Sequence, residues 1–129
     1  EASSLGFQQM YKSRYGILRT EWRVLFHLGM FGRMTASEIG AAAKIHKTKI
    51  SRAVQRLVER RFVTRSRDTA DRRVEHLELT PVGRAAFEDL RRVAQDYDAM
   101  LTRDLSEKET ELLRAALNKL AQTDPISFG

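Results

Sequence analysis

The sequence predicts a mainly α-helical chain with one small β-hairpin. Three observations predict it. Apolar residues recur at helical spacing over most of the chain, capping boxes and a Thr-Pro pair mark helix starts, and the spacing shortens to two only between Val63 and Leu79. At 129 residues and 42% hydrophobic, one core with appended helices is expected.

The first helix is expected between Leu5 and Leu18, where Phe7, Met10, Tyr11 and Leu18 fall on helical spacings and Lys12, Arg14 and Arg19 suggest a wet face. The sequence opens on Glu1 rather than Met with this pattern already under way, so an upstream piece is expected to be missing. Thr20 precedes Glu21, Trp22 and a nearly unbroken apolar run through Val24, Leu25, Phe26, Leu28, Met30 and Phe31. That run predicts a second helix buried on most sides, the hub of the core, ending at Gly32 because glycine tolerates positive φ.

Thr35-Ala36-Ser37-Glu38 matches a capping box and opens a short helix through Ile39, Ala42 and Ala43. After Lys44-Ile45-His46, residues Ile50, Val54, Leu57 and Val58 form one apolar stripe. Thr48, Arg52, Gln55 and Glu59 then point the opposite way, with Lys49 and Arg56 on one flank and Ser51 on the other. A short helix, a tight turn and a second helix with a basic outer face is a helix-turn-helix. Val63, Arg65 and Arg67 alternate with Thr64 and Ser66, Asp68-Thr69-Ala70-Asp71 supplies a turn, and Leu77 and Leu79 alternate with His76 and Glu78, giving a hairpin with a basic tip.

Thr80-Pro81 supplies an N-cap and an N1 proline for a long helix whose seam is Val82, Ala86, Leu90, Val93, Tyr97 and Leu101. Ser106-Glu107-Lys108-Glu109 is a second capping box, opening a last helix with Leu112, Leu113, Ala116, Leu117 and Leu120. The tail from Gln122 is expected to be loose. The expected organisation is an N-terminal helix (1–19), a helix-turn-helix and hairpin region (20–80), C-terminal helices (81–121) and the tail (122–129).

Charge narrows the function. Between Lys44 and Arg73 there are eleven Lys or Arg against three acids, a local +8 in a chain of net +6. Because these cations are threaded through a helical and then a strand pattern, they belong to a folded surface of the kind that neutralises phosphates. The absence of cysteine removes disulfides and thiolate sites and fits the cytoplasm, and no apolar stretch approaches the roughly 18 residues of a membrane span. His27, His46 and His76 lack ligand spacing, so no metal or other cofactor is expected. The pairs Glu88/Asp89 and Asp96/Asp98 fall on expected wet helix faces without a nucleophile, so no enzyme is expected.

On the second helix of the helix-turn-helix, Lys47, Thr48, Lys49, Ser51, Arg52, Gln55 and Arg56 are the donor-rich types that pair with base edges or phosphates in a major groove. Lys47 and Arg56, with Thr35 and Ser37, are expected on phosphates, which position without specifying sequence. At the hairpin tip, Arg72 or Arg73 is placed to enter a neighbouring minor groove.

The capping box and short helix, the Lys47 to Arg60 helix, Asp71-Arg72-Arg73 and then Leu79-Thr80-Pro81-Val82-Gly83 together resemble the MarR family of winged helix-turn-helix transcriptional regulators, over nearly the whole chain. The resemblance implies that Arg73 is the minor-groove arginine and Asp71 the carboxylate orienting it. It also implies a homodimer with intertwined first and last helices on a pseudo-palindromic double-stranded DNA operator. The expected function is a repressor relieved by a small aromatic or phenolic acid, with an effector-independent architectural DNA binder or a protein-interaction module as alternatives. Candidate effector residues are Tyr11, Arg14, Tyr15, Trp22, Arg23, Phe26 and His27, with Arg14, Arg23 or His27 receiving the carboxylate. The same aromatics at helical spacing also fit plain core.

Two positions depart from the family pattern. Arg61 replaces the glycine usual after the recognition helix, and must either accept a left-handed conformation costing about 1 kcal/mol or end the helix differently. His46 stands where a capping carboxylate or hydroxyl is common, so a less sharp helix start is expected.

Overall fold

The computed structural model describes residues 5–103 and 105–123. In chain order they form α1 (Leu5–Tyr15), α2 (Arg19–Phe31), β1 (Met34–Thr35), α3 (Ala36–Ala43), α4 (Lys47–Glu59), β2 (Val63–Arg67), β3 (Glu75–Leu79), α5 (Pro81–Thr102) and α6 (Glu107–Thr123). The three strands are antiparallel in the order β1-β3-β2. Val63 pairs with Leu79 and Arg67 with Glu75 across the hairpin, and Met34 pairs with Leu77 on its other edge.

Helix starts follow the chemistry of their first turns. The Thr35 hydroxyl accepts the Glu38 amide at 3.1 Å while the Glu38 carboxylate accepts the Thr35 amide at 2.8 Å, and Ser106 with Glu109 repeats the arrangement. Helix α1 ends at Tyr15, three residues short of the expected Leu18, because Gly16 takes φ +65° and breaks it. Helix α2 starts at Arg19, where the Glu21 carboxylate accepts the Leu18 amide at 3.0 Å. As expected, Gly32 ends α2, at φ +80°.

One core cluster takes Phe7 and Tyr11 from α1, Trp22, Leu25 and Leu28 from α2, Ile39 from α3, Ile50, Val54 and Leu57 from α4, Val63 and Leu77 from the sheet, and Ala86, Phe87 and Leu90 from α5. The α2 hub is therefore real, but it is not buried to its end: Met30 is exposed and Phe31 is 67% exposed. Only one side of its last turn faces solvent, since Leu28 stays buried and Gly29 lies against Phe87.

The α5 seam also divides. Ala86 and Leu90, joined by Phe87, are buried in the chain's own core, Val93 and Tyr97 are half-buried, and Val82 is 59% exposed. The side chain of Leu101 lies outside the described residues. The first half of α5 thus closes the chain's own core. Helix α6 packs differently, with Leu112 and Leu120 each 64% exposed and Leu113 and Leu117 also in solvent. It continues to Thr123, two residues into the tail expected from Gln122; residues 124–129 of that tail lie outside the described residues.

Candidate nucleic-acid interface

Helices α3 and α4 meet across a turn that needs one unusual backbone. Lys44 ends α3 in the left-handed conformation (φ 57°, ψ 48°), and the Ile45 amide returns to the Gly40 carbonyl at 3.0 Å. His46 then caps α4: its Nδ1 accepts the Thr48 amide at 3.2 Å, so the helix starts sharply, against expectation. An imidazole supplies the lone pair that a carboxylate or hydroxyl would otherwise bring.

Burying Ile50, Ala53, Val54 and Leu57 fixes which face of α4 is wet. Lys47, Thr48, Lys49, Ser51, Arg52 and Gln55 all lie exposed on it. Ser37, exposed in the first turn of α3, borders a cleft with Lys47 and Ser51, whereas the Thr35 hydroxyl is engaged by its capping bond. Among the described residues no carboxylate pairs with Lys47 or Arg52.

Beyond α4 the chain turns through Arg61, which does accept the left-handed conformation, at φ 65°. The Phe62 amide bonds the Leu57 carbonyl at 2.9 Å and the Arg61 amide bonds Val58 at 3.0 Å, a Schellman closure with arginine in the glycine position. Thr80 holds this turn. Its hydroxyl donates to the Arg61 carbonyl at 2.7 Å and accepts the Gly83 amide at 2.9 Å, while its amide donates to the Phe62 carbonyl at 3.0 Å. A Cβ on Gly83 would stand 2.0 Å from that Phe62 carbonyl oxygen, so only glycine lets α5 start here. The Leu-Thr-x-x-Gly pattern is thereby explained: it locks the wing to α5.

The wing tip is built on two aspartates. Asp68 accepts the Ala70 and Asp71 amides at 3.0 and 2.9 Å and meets His76 Nε2 at 3.1 Å; the Asp71 amide, then His76, hold its carboxyl below the usual range. Asp71 accepts the Arg73 amide at 3.1 Å and its guanidinium through Nε and Nη2 at 3.0 and 3.1 Å. That guanidinium keeps the Asp71 carboxyl low, so it stays an anion aligning Arg73, whose side chain is 90% exposed. Arg72 is exposed beside it, and its carbonyl accepts from Arg67 at 3.0 Å.

Not every cation of the basic window faces outward. Arg56, on the flank of α4, turns to Glu21, a carboxylate only 2% exposed, with Nη1 and Nε both at 3.3 Å. Arg60 donates to the Tyr15 and Gly16 carbonyls and lies over the Phe62 ring at 5.1 Å. Arg65 bridges Gln55 at 2.6 Å and Glu75 at 3.3 Å, and Gln55 also donates to Glu59 at 2.9 Å, so both ends of the Gln55 amide are engaged. Helical periodicity carries no sign of these inward attachments.

The candidate effector residues also separate. Trp22, Arg23, Phe26 and His27 line one cavity of about 340 Å³ between α2 and α5, together with Phe7, Met30, Arg91, Ala94, Gln95 and Asp98, none of which was among the effector candidates. Arg23 donates to the Ala43 carbonyl at 2.6 Å, and His27 Nδ1 sits 2.9 Å from the Arg23 carbonyl, which makes that nitrogen the donor. Tyr11, Arg14 and Tyr15 do not line it. Tyr11 is buried against Phe7 and Trp22, and burial pushes its hydroxyl up to about 12. Arg14 and the Tyr15 hydroxyl both donate to Asp89 Oδ2 at 2.6 Å, with Arg92 on the other oxygen. The Tyr15 bond, then Arg14, hold the Asp89 carboxyl low, so this residue is a three-way junction instead of a wet helix face.

The model of the MarR family matches residues 15–74, from the end of α1 to the wing tip. The chain is 31% identical over 117 residues to the transcriptional repressor MdtR of Bacillus subtilis (strain 168), covering 86% of this chain and 74% of that protein. The chain belongs to the MarR family. A mutant MarR from E. coli, solved with operator DNA, superposes with a TM-score of 0.74 at 26% identity, covering 89% of this chain and 83% of that one. The transcriptional regulator YwaE of B. subtilis (strain 168) is 26% identical over 109 residues, 84% of this chain; the chain spans 64% of that relative's length. Among the described residues no helix is long and apolar enough to cross a membrane and no group of His, Asp and Glu is arranged to hold a metal ion.

Proposed function

We propose that this chain is one subunit of a homodimeric, sequence-specific regulator of transcription that binds double-stranded DNA. One observation carries the reading: α4 and the wing tip are separate, rigidly based elements whose cations Lys47, Arg52 and Arg73 stand out into solvent, while Arg56 and Arg60 brace the base beneath them. The outer face of α4 (Lys47, Thr48, Lys49, Ser51, Arg52, with Gln55 once released from Arg65) enters a major groove, as such helices dock. Thr35 and Ser37 at the start of α3 lie against phosphate, where helix N-termini favour anions. Arg73, aligned by Asp71, reaches the neighbouring minor groove, with Arg72 on the backbone.

The uncovered leucines of α6 and the open second half of α5 support pairing of two copies, which places half-sites about one helical turn apart. The cavity between α2 and α5 suits one small aromatic acid: Trp22 and Phe26 supply ring faces, Arg23 and Arg91 positive charge, and His27, whose Nδ1 is taken by the Arg23 carbonyl, its other ring nitrogen for a phenol or carboxylate. Ligand there relieves repression if it binds the DNA-free spacing of the dimer more tightly. Tyr11, Arg14 and Tyr15 take no part in that site.

Selection of duplexes from a random pool, with and without phenolic acids, tests the whole reading. A pseudo-palindrome whose retention falls with the acid is expected. Retention indifferent to every acid would leave an architectural binder, and no duplex binding at low salt would reject DNA as the target.

A further inference from the structure

The linker between α1 and α2 is gripped from two sides by the far end of the recognition helix. Arg60 caps α4. Its Nη1 donates to the Gly16 carbonyl at 2.9 Å and its Nη2 to the Tyr15 carbonyl, so one planar fork satisfies two carbonyls that the end of α1 leaves unpaired. One turn earlier, Arg56 holds Glu21, which itself caps α2 through the Leu18 amide. Tyr15 is in turn fastened at its other end, its hydroxyl donating to Asp89 of α5 at 2.6 Å. A continuous path of directed bonds therefore runs from Asp89 through Tyr15 and Arg60 to the end of α4.

We infer that Arg60 is a positioning residue for operator recognition: through Tyr15 and Gly16 it ties the tilt of α4 to the α1–α5 frame. The inference rests on the dimeric DNA-binding reading above, because in a dimer that frame sets the separation of the two recognition helices. Arg60 is itself exposed, at the edge of the core and away from the outer face of α4. Its loss releases the helix end without opening a cavity and without removing a DNA-facing cation. The requirement is for a bidentate donor; lysine, a single point donor, can hold only one carbonyl well.

The test measures binding of the full chain to its selected operator, to versions with the half-sites moved one or two base pairs closer or further apart, and to a single half-site. Wild type is expected to prefer one spacing. Arg60→Gln should bind the single half-site within about twofold of wild type, yet lose about fivefold or more of the spacing preference, a typical size for coupling between linked elements. Arg60→Lys should fall between the two. Asp89→Asn, which cuts the same path at its other end, should flatten the spacing profile as Arg60→Gln does. A uniform loss across all duplexes, or an unaltered spacing profile in both variants, overturns the inference while leaving the DNA-binding reading intact. A wild type indifferent to spacing overturns the dimer reading and this inference with it.

Discussion

Removing the Arg56 guanidinium would strand Glu21, and the structure sets the size of the effect. The Glu21 carboxylate is 2% exposed and has two kinds of donor, the Leu18 amide at 3.0 Å and Arg56 at 3.3 Å. Truncating one partner of a fully buried pair costs about 3–5 kcal/mol. Here the Arg56 side chain is 46% exposed and its contacts are long for a charge-assisted bond, so water can replace part of the missing interaction. Arg56→Ala should therefore destabilise by about 1–3 kcal/mol. The melting temperature should fall by roughly 4–12 °C, read at one fixed protein concentration because association shifts the midpoint. Glu21→Gln removes the charge but keeps an oxygen for the Leu18 amide, so Glu21→Gln with Arg56→Ala should recover at least half of the deficit. A loss below about 0.5 kcal/mol, or strict additivity of the two substitutions, would refute the clamp.

Three further outcomes follow from the geometry. Asp89 has its carboxyl held low in the folded chain, so the stability it adds is present above the ordinary aspartate range and is lost as pH falls through the lowered value; Asp89→Asn should flatten that acid limb in urea unfolding. Arg73→Ala should weaken binding most on operators with A·T-rich flanks, and Asp71→Asn should do the same more mildly by freeing Arg73; equal loss on all flanks rejects the minor-groove placement. Gly83→Ala puts a methyl against the Phe62 carbonyl and should destabilise by about 2 kcal/mol or more in chemical unfolding, whereas an unchanged midpoint would show that α5 can shift.

The elements that local chemistry encodes were legible in the sequence. Thr35 with Glu38, Thr80 with Pro81 and Ser106 with Glu109 announced their helices, and the period change at Val63 announced the hairpin. Strand β1 was not legible, because two residues carry no periodicity and Met34 becomes a strand only by pairing with Leu77. Nor was the left-handed Lys44, since nothing in its type asks for that backbone.

In the candidate site, the exposed row from Lys47 to Gln55 and the Asp71–Arg73 pair lie as read from sequence. What failed was direction on the flanks. Arg56 and Arg60 count as surface charge on a helical wheel, but their long stems let them fold back to Glu21 and to the Tyr15 and Gly16 carbonyls. The aromatics stay one cluster, with Tyr11 stacked on Trp22 in the core, but only Trp22 and Phe26 also line the cavity, which Arg91 and Asp98 of α5 border. Only tertiary packing brings those α5 residues there.

The central claim is a division of labour among the cations, and the salt dependence of operator binding tests it most directly. Taking one cation away from a DNA phosphate should lower the magnitude of the slope of log K against log salt by about 0.9. Neutralising Lys47, Arg52 or Arg73 should produce that change, while neutralising Arg56 or Arg60 should leave the slope at its wild-type value. Equal reductions from both sets would contradict the account.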